Sequence, residues 1–347
     1  MNAEKPQYNL GVVGGGWVAR TVWLPRLLAT QRFRLASIDD TDPRAVAAVV
    51  EAFPASAIQL GAPIDVALVA TPNSFHAAQA ERLLEAGVDV IVDKPVCLSL
   101  AELDRLERAA AKTGARLDVT NAASHRADVT RLREEVRQGR AGALDLVELS
   151  WVRGAGVPRA PWAMRKELAG GGVSVDLGWH LLEVGLELLG WPDTLDALAI
   201  GTAVGVGVNR AADWHDTLQR GETVGSDVES SVTAVMRTTR GGLTLRAAWA
   251  SHEDIDRTRI VAHGALATLA LETTFGFSPH RVKQPTLVAK TSGKYQDLSI
   301  PDTAIGCEYD ACVGQMLEWL DSGRPTRWNE MRAIVTALEA MTTSLNS

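Results

Sequence analysis

"GVVGGGWVA", residues 11–19, carries the pattern G-x-G-x-x-A at Gly14, Gly16 and Ala19. The run before it, "YNLGVV" (8–13), is rich in strand-forming residues. The run after it, "TVWLPRLLAT" (21–30), spaces its apolar residues by three and four, as a helix does. A strand that passes through glycines into a helix is a phosphate cradle. Gly14 permits the tight turn, and Gly16 lets a pyrophosphate approach the backbone at the helix start, beside Trp17 and Val18. Ala19 still allows the helix to pack closely on the strand. Further strands follow at "FRLASI", "DVALVA", "VDVIV" and "ARLDVT", with helical stretches "PRAVAAVVEAF", "FHAAQAERLLEAG" and "LAELDRLERAAAKTG" between them. This alternation predicts an α/β domain over residues 1–122, with a doubly wound parallel sheet that binds a dinucleotide.

A dinucleotide site needs an acid where the second strand ends. "LASIDDTDP" offers Asp39 and Asp40, and the helix start at "TDPRA" leaves Asp40 at the strand end. A carboxylate there accepts hydrogen bonds from ribose hydroxyls and repels a 2′-phosphate, which favours NAD over NADP. Asp42 before Pro43 reads as the cap of the next helix.

Ligands of such sheets bind outside the carboxyl ends of the strands. "ALVATPNSFHA" ends one strand with Thr71, Pro72 and Asn73, and His76 lies at the start of the next helix, as a cofactor contact or as a cap. "VIVDKPV" ends another with Asp93 and Lys94. The chain has 28 arginines and only seven lysines, so a lysine at this mouth, held by a following proline, points to chemistry more than to solubility.

From about residue 144 the texture changes to β-rich runs separated by turn residues, among them "LDLVELSWV", "LDALAIGTAVGVGV", "SSVTAVMRTT", "LTLRAAWAS", "RTRIVAH" and "ATLALET". They predict a second, α+β domain over 123–347 with a large, mostly antiparallel open sheet. One helix, "VDLGWHLLEVGLELLG", precedes most of these strands; another, "EYDACVGQMLEWLDSG", follows them, and a C-terminal helix is expected to pack back on the first domain. In "GGGVSVDLGWH" (170–180) Asp176 and His180 stand one helical turn apart and so share a face. A carboxylate beside an imidazole is an acid–base arrangement, and the three glycines before it are expected to let backbone or a ligand come close.

The totals exclude several classes. A length of 347 residues, 46% apolar, fits two globular domains. A formal charge of −7 argues against nucleic-acid binding. No stretch approaches the roughly 20 apolar residues of a membrane span, and the N-terminus has no signal-peptide layout. Three cysteines without metal-like spacing fit a reduced cytoplasmic protein, and no metal site is expected.

Taken in order, "GVVGGGWVA", "ATPNSFH", "VDKPV" and "GGGVSVDLGWHLLEVGLELLG" resemble the glucose–fructose oxidoreductase / inositol dehydrogenase family (Gfo/Idh/MocA) across nearly the whole chain. The resemblance implies an N-terminal Rossmann domain and a C-terminal domain whose open sheet builds homo-oligomers, dimers or tetramers. It implies Lys94, Asp176 and His180 as catalytic residues. "PWAMR" resembles the family's Trp and Arg ahead of the glycines, which implies cofactor or substrate contacts for Trp162 and Arg165, with Lys166 beside them. "NAASHR" resembles the segment lining the nicotinamide side and implies a substrate role for Arg126, although the family's usual aromatic is absent. Three further departures are Asp93 for the family's Glu, Glu183 for its second Asp, and Ala267 for a turn glycine.

The implied activity is NAD-dependent oxidation of a secondary hydroxyl of a sugar, cyclitol or amino sugar, including aminoglycoside-pathway intermediates. His180 suits the role of base by its intrinsic pKa, with Asp176 orienting it, and Lys94 is the alternative base. Acidic loops at 213–216, 225–230 and 251–256 would suit a cationic amino sugar, and tryptophans such as Trp151, Trp162, Trp214 and Trp249 would offer stacking faces. The rival readings are a redox-neutral enzyme with tightly held NAD and a non-catalytic NAD(H)-binding regulator.

Overall fold

The computed structural model describes residues 6–53, 58, 60–202, 212, 214 and 226–345. Asp213, Asp216 and Gly225 of the acidic loops lie outside the described residues, as do residues 203–208 of the run read as a long strand. The chain divides into two units, one of residues 1–120 and 309–328, the other of residues 121–308 and 329–347.

In the first unit, strand β1 (Tyr8–Val13) leads through the glycines into a π-helical stretch at Val18–Trp23, which continues as helix α1 (Leu24–Ala29). Then come β2 (Phe33–Asp39), α2 (Pro43–Ala52), β3 (Val66–Val69), α3 (Asn73–Glu85), β4 (Asp89–Val92), α4 (Leu100–Thr113) and β5 (Leu117–Val119). The strands form one parallel sheet in the order β2-β1-β3-β4-β5. All four residues of β3 are buried, as expected of a strand covered on both faces. The helix signals act as read. Asp42 caps α2 by accepting from the Arg44 N–H at 2.9 Å, and Pro43 fills the first helical position. Ser99 caps α4, which ends at Gly114 in the left-handed region. Strand order reverses between β1 and β3, so the loops following these two strands flank the crevice where such sheets bind ligands.

The second unit carries α5 (Ala127–Arg137), β6 (Leu144–Val152), α6 (Lys166–Ala169) and α7 (Val173–Leu188), followed by β7 (Thr194–Thr202), β8 (Ser231–Thr238), β9 (Gly241–Ala248), β10 (Arg257–Gly264), β11 (Thr268–Thr273), β12 (Thr286–Thr291) and β13 (Lys294–Leu298). Its sheet runs β13-β12-β11-β10-β6-β9-β8-β7, antiparallel throughout except where β6 pairs with β9. Helix α7 lies directly on those two strands. A Cβ at Gly185 would stand 2.6 Å from Leu149 and 2.9 Å from Leu243, so only glycine lets the helix approach this closely.

Two helices close the chain, α8 (Cys307–Ser322) and α9 (Trp328–Leu345). Residues 309–328, most of α8, belong to the first unit, while α9 belongs to the second. Polar ties hold α8 in the first unit. Arg116 donates to the Trp319 carbonyl at 2.9 Å and lies over the Trp319 ring, and Asp321 accepts from the Tyr8 hydroxyl at 2.9 Å and pairs with Arg32. Burial, reinforced by Asp321, raises the Tyr8 phenol above its ordinary pKa.

Candidate active site

In the first unit, the candidate dinucleotide site is built on the glycine loop. Gly14 has φ +95°, and a Cβ there would lie 2.5 Å from the Ala70 carbonyl oxygen, so both backbone conformation and packing demand glycine. Its N–H donates to the Asp39 carbonyl at 2.8 Å, which locks the turn to the end of β2. Gly16 differs: a Cβ there would meet no protein atom within 4 Å. Protein packing leaves Gly16 open, and a pyrophosphate approaching the backbone is what would use that space. Of the two acids, Asp39 is exposed and lies 3.9 Å from Arg82. Asp40 is half-buried and turned inward, accepting from the Gly15 N–H at 2.7 Å and the Asp42 N–H at 2.8 Å. These features fit a dinucleotide: Gly14 to Val18 would hold its phosphates and Asp40 its ribose.

Thr71, Pro72 and Asn73 follow β3 and are half-buried there. His76 is 1% exposed, and its ring nitrogens stand 2.6 Å from the Pro95 carbonyl and 2.8 Å from the Thr71 carbonyl. It caps no helix; it ties the loop after β3 to the loop after β4, and both nitrogens are spent on that tie. Asp93 is likewise structural, accepting from the Trp23 indole N–H and the Thr120 hydroxyl, each at 2.9 Å. The same Thr120 oxygen accepts the Lys94 N–H at 3.2 Å, and the Lys94–Pro95 peptide is cis. The backbone that presents the Lys94 side chain is therefore pinned on both sides.

In the second unit, α7 is nearly submerged. Thirteen of its 16 residues are buried, Glu183 among them, and the others are Asp176, His180 and Glu187. Glu187 is spent on Arg133 at 2.8 Å and Arg137 at 3.4 Å. Asp176 and His180 are both half-buried and stand one turn apart. Asp176 accepts from the Trp249 indole N–H at 2.9 Å, and the His180 ring lies 5.9 Å from that of Trp151.

Of the two approaches expected at the glycine triplet, that of backbone is the one seen. Gly170 ends α6 with φ +78°, and a Cβ at Gly172 would lie 1.9 Å from the Glu229 carbonyl oxygen. Gly170 thus serves the helix end, and Gly172 makes room for the backbone of residue 229. Glu229 also caps α7: one carboxylate oxygen accepts from the Gly172 and Ser174 N–H groups, each at 2.9 Å, and from the Ser174 hydroxyl.

Other expected contacts lie elsewhere. Trp162 is half-buried in a 3-10 turn (Pro161–Met164), whereas Arg165 and Lys166 are exposed, Arg165 beside Glu167 at 3.4 Å. Arg126 is buried in a network with Asp128, Glu308 and Thr273 and lies over Phe275, which makes it a structural tie. A cavity of about 920 Å³ has Arg126, Asp128, Arg281 and Glu308 in its wall, but neither Asp176 nor His180. Burial, with Arg126 nearby, lowers the Arg281 pKa. Among the described acids of the acidic loops, Glu253 and Asp254 are exposed, and three others are tied to the chain itself. Asp227 accepts the Lys166 N–H, Glu229 caps α7, and Asp256 is buried against the Gly154 N–H. Trp151 and Trp249 are buried and offer no stacking face. Among the described residues no cluster of three metal-ligating side chains occurs, and no helix is long and apolar enough to cross a membrane.

Comparison with known proteins agrees with this layout. A family model described as oxidoreductase family, NAD-binding Rossmann fold, matches residues 8–121, and one described as a GFO/IDH/MocA C-terminal domain matches residues 129–270. A protein of Amycolatopsis mediterranei (strain S699), provisionally named a UDP-kanosamine synthase oxidoreductase subunit, is 36% identical over 97% of this chain and 95% of its own. The D-glucoside 3-dehydrogenase of Escherichia coli (strain K12) is 28% identical over 53% of this chain and 54% of its own. Among solved structures, GenD2 from gentamicin A biosynthesis, in complex with NAD, superposes with a TM-score of 0.77 at 20% identity, covering 100% of this chain and 96% of its own. Levoglucosan dehydrogenase with NADH and L-sorbose gives 0.78 at 15% identity, covering 99% and 97%. At such identities these two structures speak for the fold alone.

Proposed function

Because the chain belongs to the Gfo/Idh/MocA oxidoreductase family, whose members named above include sugar dehydrogenases, we propose that it oxidises a secondary hydroxyl of a sugar, cyclitol or amino sugar with NAD as acceptor. The observation that carries this reading is the pair on α7: on a helix with thirteen of 16 residues buried, the half-buried Asp176 and His180 set a carboxylate and an imidazole one turn apart. The bound dinucleotide supplies the two-electron acceptor. The chain's own residues manage the proton and the substrate oxygen.

His180 takes the hydroxyl proton, with Asp176 orienting and stabilising the resulting imidazolium. Lys94 donates a hydrogen bond to the same oxygen, favouring its developing negative charge. The alternative assignment exchanges the two, with Lys94 as the base. The pH profiles of the single variants separate the assignments, since loss of the base removes the acid limb of kcat/KM. Asp40 supports NAD over NADP, because its carboxylate would face a 2′-phosphate. The amino-sugar option draws on the relatives' names alone, because the acids of the described loops are capping groups, buried ties or surface charges.

The test is a screen of reduced-nicotinamide absorbance at 340 nm with NAD or NADP against hexoses, inositols, amino sugars and nucleotide-linked sugars. Growth of the band with one panel supports the reading and names the substrate class. Lys94→Ala and His180→Ala are each expected to lose most turnover while still binding NAD. Near-normal turnover in both would sink the site assignment. Silence in every panel, with NAD retained through purification, would favour redox-neutral chemistry instead.

A further inference from the structure

The first turn of α7 is gripped from the paired ends of β8 and β9. Glu229, just ahead of β8, holds the helix N-terminus through the Gly172 and Ser174 N–H groups, and its own carbonyl accepts the Val173 N–H at 3.0 Å. Trp249, just after β9, donates its indole N–H to Oδ2 of Asp176 at 2.9 Å. The two grips are joined, because the Trp249 N–H donates to the Ser230 carbonyl at 3.0 Å. The Trp249 ring is 1% exposed, so packing fixes the donor's direction.

We propose that Trp249 is a positioning residue for Asp176: its buried indole N–H fixes one carboxylate oxygen, so that the other is presented in a single direction on the face shared with His180. The choice of an indole follows from its chemistry. It donates one hydrogen bond, accepts none and exchanges no proton near neutral pH, so it orients the carboxylate without competing for the proton in transit. A hydroxyl or amide at this position would rotate or accept as well as donate. The inference rests on the catalytic reading of Asp176 given above.

The test uses the full-length protein with the substrate class that scores in the hydroxyl screen. Trp249→Phe removes the N–H and keeps an aromatic ring. Replacement of Trp249 by 3-benzothienylalanine, which keeps the shape and lacks only the donor, serves if the Phe variant fails to fold. The expected result is a fall in kcat on the order of ten- to a hundredfold, within the range that an oriented acid–base group supplies. The dissociation constant for NAD, read by calorimetry, is expected to stay within about twofold, well below the 1.4 kcal/mol of a tenfold change. In an Asp176→Ala background the same replacement is expected to cost nothing further, because groups acting as one unit are not additive. The indole ¹⁵N–¹H resonance that Trp249→Phe deletes is expected to shift in Asp176→Ala, a readout independent of activity. An unshifted resonance, a normal kcat in the donor-free variant, or a full additional loss in the Asp176→Ala background overturns the inference while leaving the catalytic reading in place. Full turnover by Asp176→Ala alone overturns both.

Discussion

The Gly15 N–H donates to Oδ2 of Asp40 at 2.7 Å, so the carboxylate proposed to meet the ribose also holds the glycine loop. Its other oxygen accepts the Asp42 N–H at 2.8 Å and sets the entry of α2. Asp40→Ala is therefore expected to lose more than cofactor preference. Hydrogen bonds to a charged group contribute about 1.5–3 kcal/mol, and here they stabilise the loop before any ligand arrives. We expect a lower melting temperature, a fall in kcat/KM with NAD of about tenfold or more, and a gain with NADP smaller than that loss. Kinetics with both dinucleotides and a thermal melt check this. An unchanged melt with full exchange of preference would show that the loop does not depend on Asp40.

Gly14 and Gly16 separate folding from binding within one motif. Alanine at 14 combines φ +95° with a Cβ 2.5 Å from the Ala70 carbonyl oxygen, a backbone contact that cannot rotate away. Gly14→Ala is expected to destabilise the protein by about 2 kcal/mol or more or to prevent folding. Alanine at 16 meets no protein atom within 4 Å, so Gly16→Ala is expected to change stability by no more than about 0.5 kcal/mol. Its effect should fall on NAD affinity, weakened by about tenfold or more, as a methyl group fills the space a phosphate would use. Urea unfolding and NAD titration of the two variants make the comparison. Equal stabilities would refute the packing argument, and undiminished NAD affinity in Gly16→Ala would refute the binding one.

The parallel sheet was legible in the sequence because its strands are buried on both faces and so appear as unbroken apolar runs, as in β3. Strands β12 and β13 were not: "TLVAKT" buries only Leu287 and Ala289, too short an alternation to stand out, and four of the five residues of "KYQDL" are exposed. Helix α9 carries the helical signal openly: Met331, Ile334, Val335, Leu338 and Met341 are buried at spacings of three and four. In the site, local spacing was enough to pair Asp176 with His180. Glu229 and Trp249 act from 55 and 73 residues away, a distance at which a sequence gives no register. Which approach the glycine triplet serves was not legible for a related reason, since a glycine that faces a ligand and one that faces Glu229 look alike in sequence.

Glu229 is expected to matter through the helix it caps. A cap contributes about 0.5–2 kcal/mol, and a carboxylate at a helix N-terminus adds a favourable interaction with the helix dipole. Glu229→Ala is expected to lower stability by about 1–3 kcal/mol, since it also leaves the Ser174 hydroxyl without this acceptor. Glu229→Gln keeps an acceptor oxygen and is expected to cost less than half as much. Urea midpoints of the two variants check the order. Equal losses would mean that side-chain packing, and not the cap, carries the effect.

Asp118 on β5 should leave a mark on the dependence of stability on pH. Burial raises its pKa above the ordinary carboxylate value, and Arg327 at 3.2 Å opposes that rise without cancelling it. In the unfolded chain the carboxyl titrates in the ordinary range, so between that range and the raised value the folded protein holds a proton that the unfolded chain has released. The contribution of Asp118 to stability is therefore fully present below the ordinary range and is lost as pH rises through the raised value. Asp118→Asn removes the titration and leaves Arg327, which is partly exposed, free to hydrate. The stability of the wild type relative to Asp118→Asn is expected to fall as pH is raised above the ordinary carboxylate range toward neutrality, read from urea midpoints at each pH. A difference that stays constant over that rise in pH would mean that Asp118 titrates at the same pH folded and unfolded, and that Arg327 fully offsets its burial.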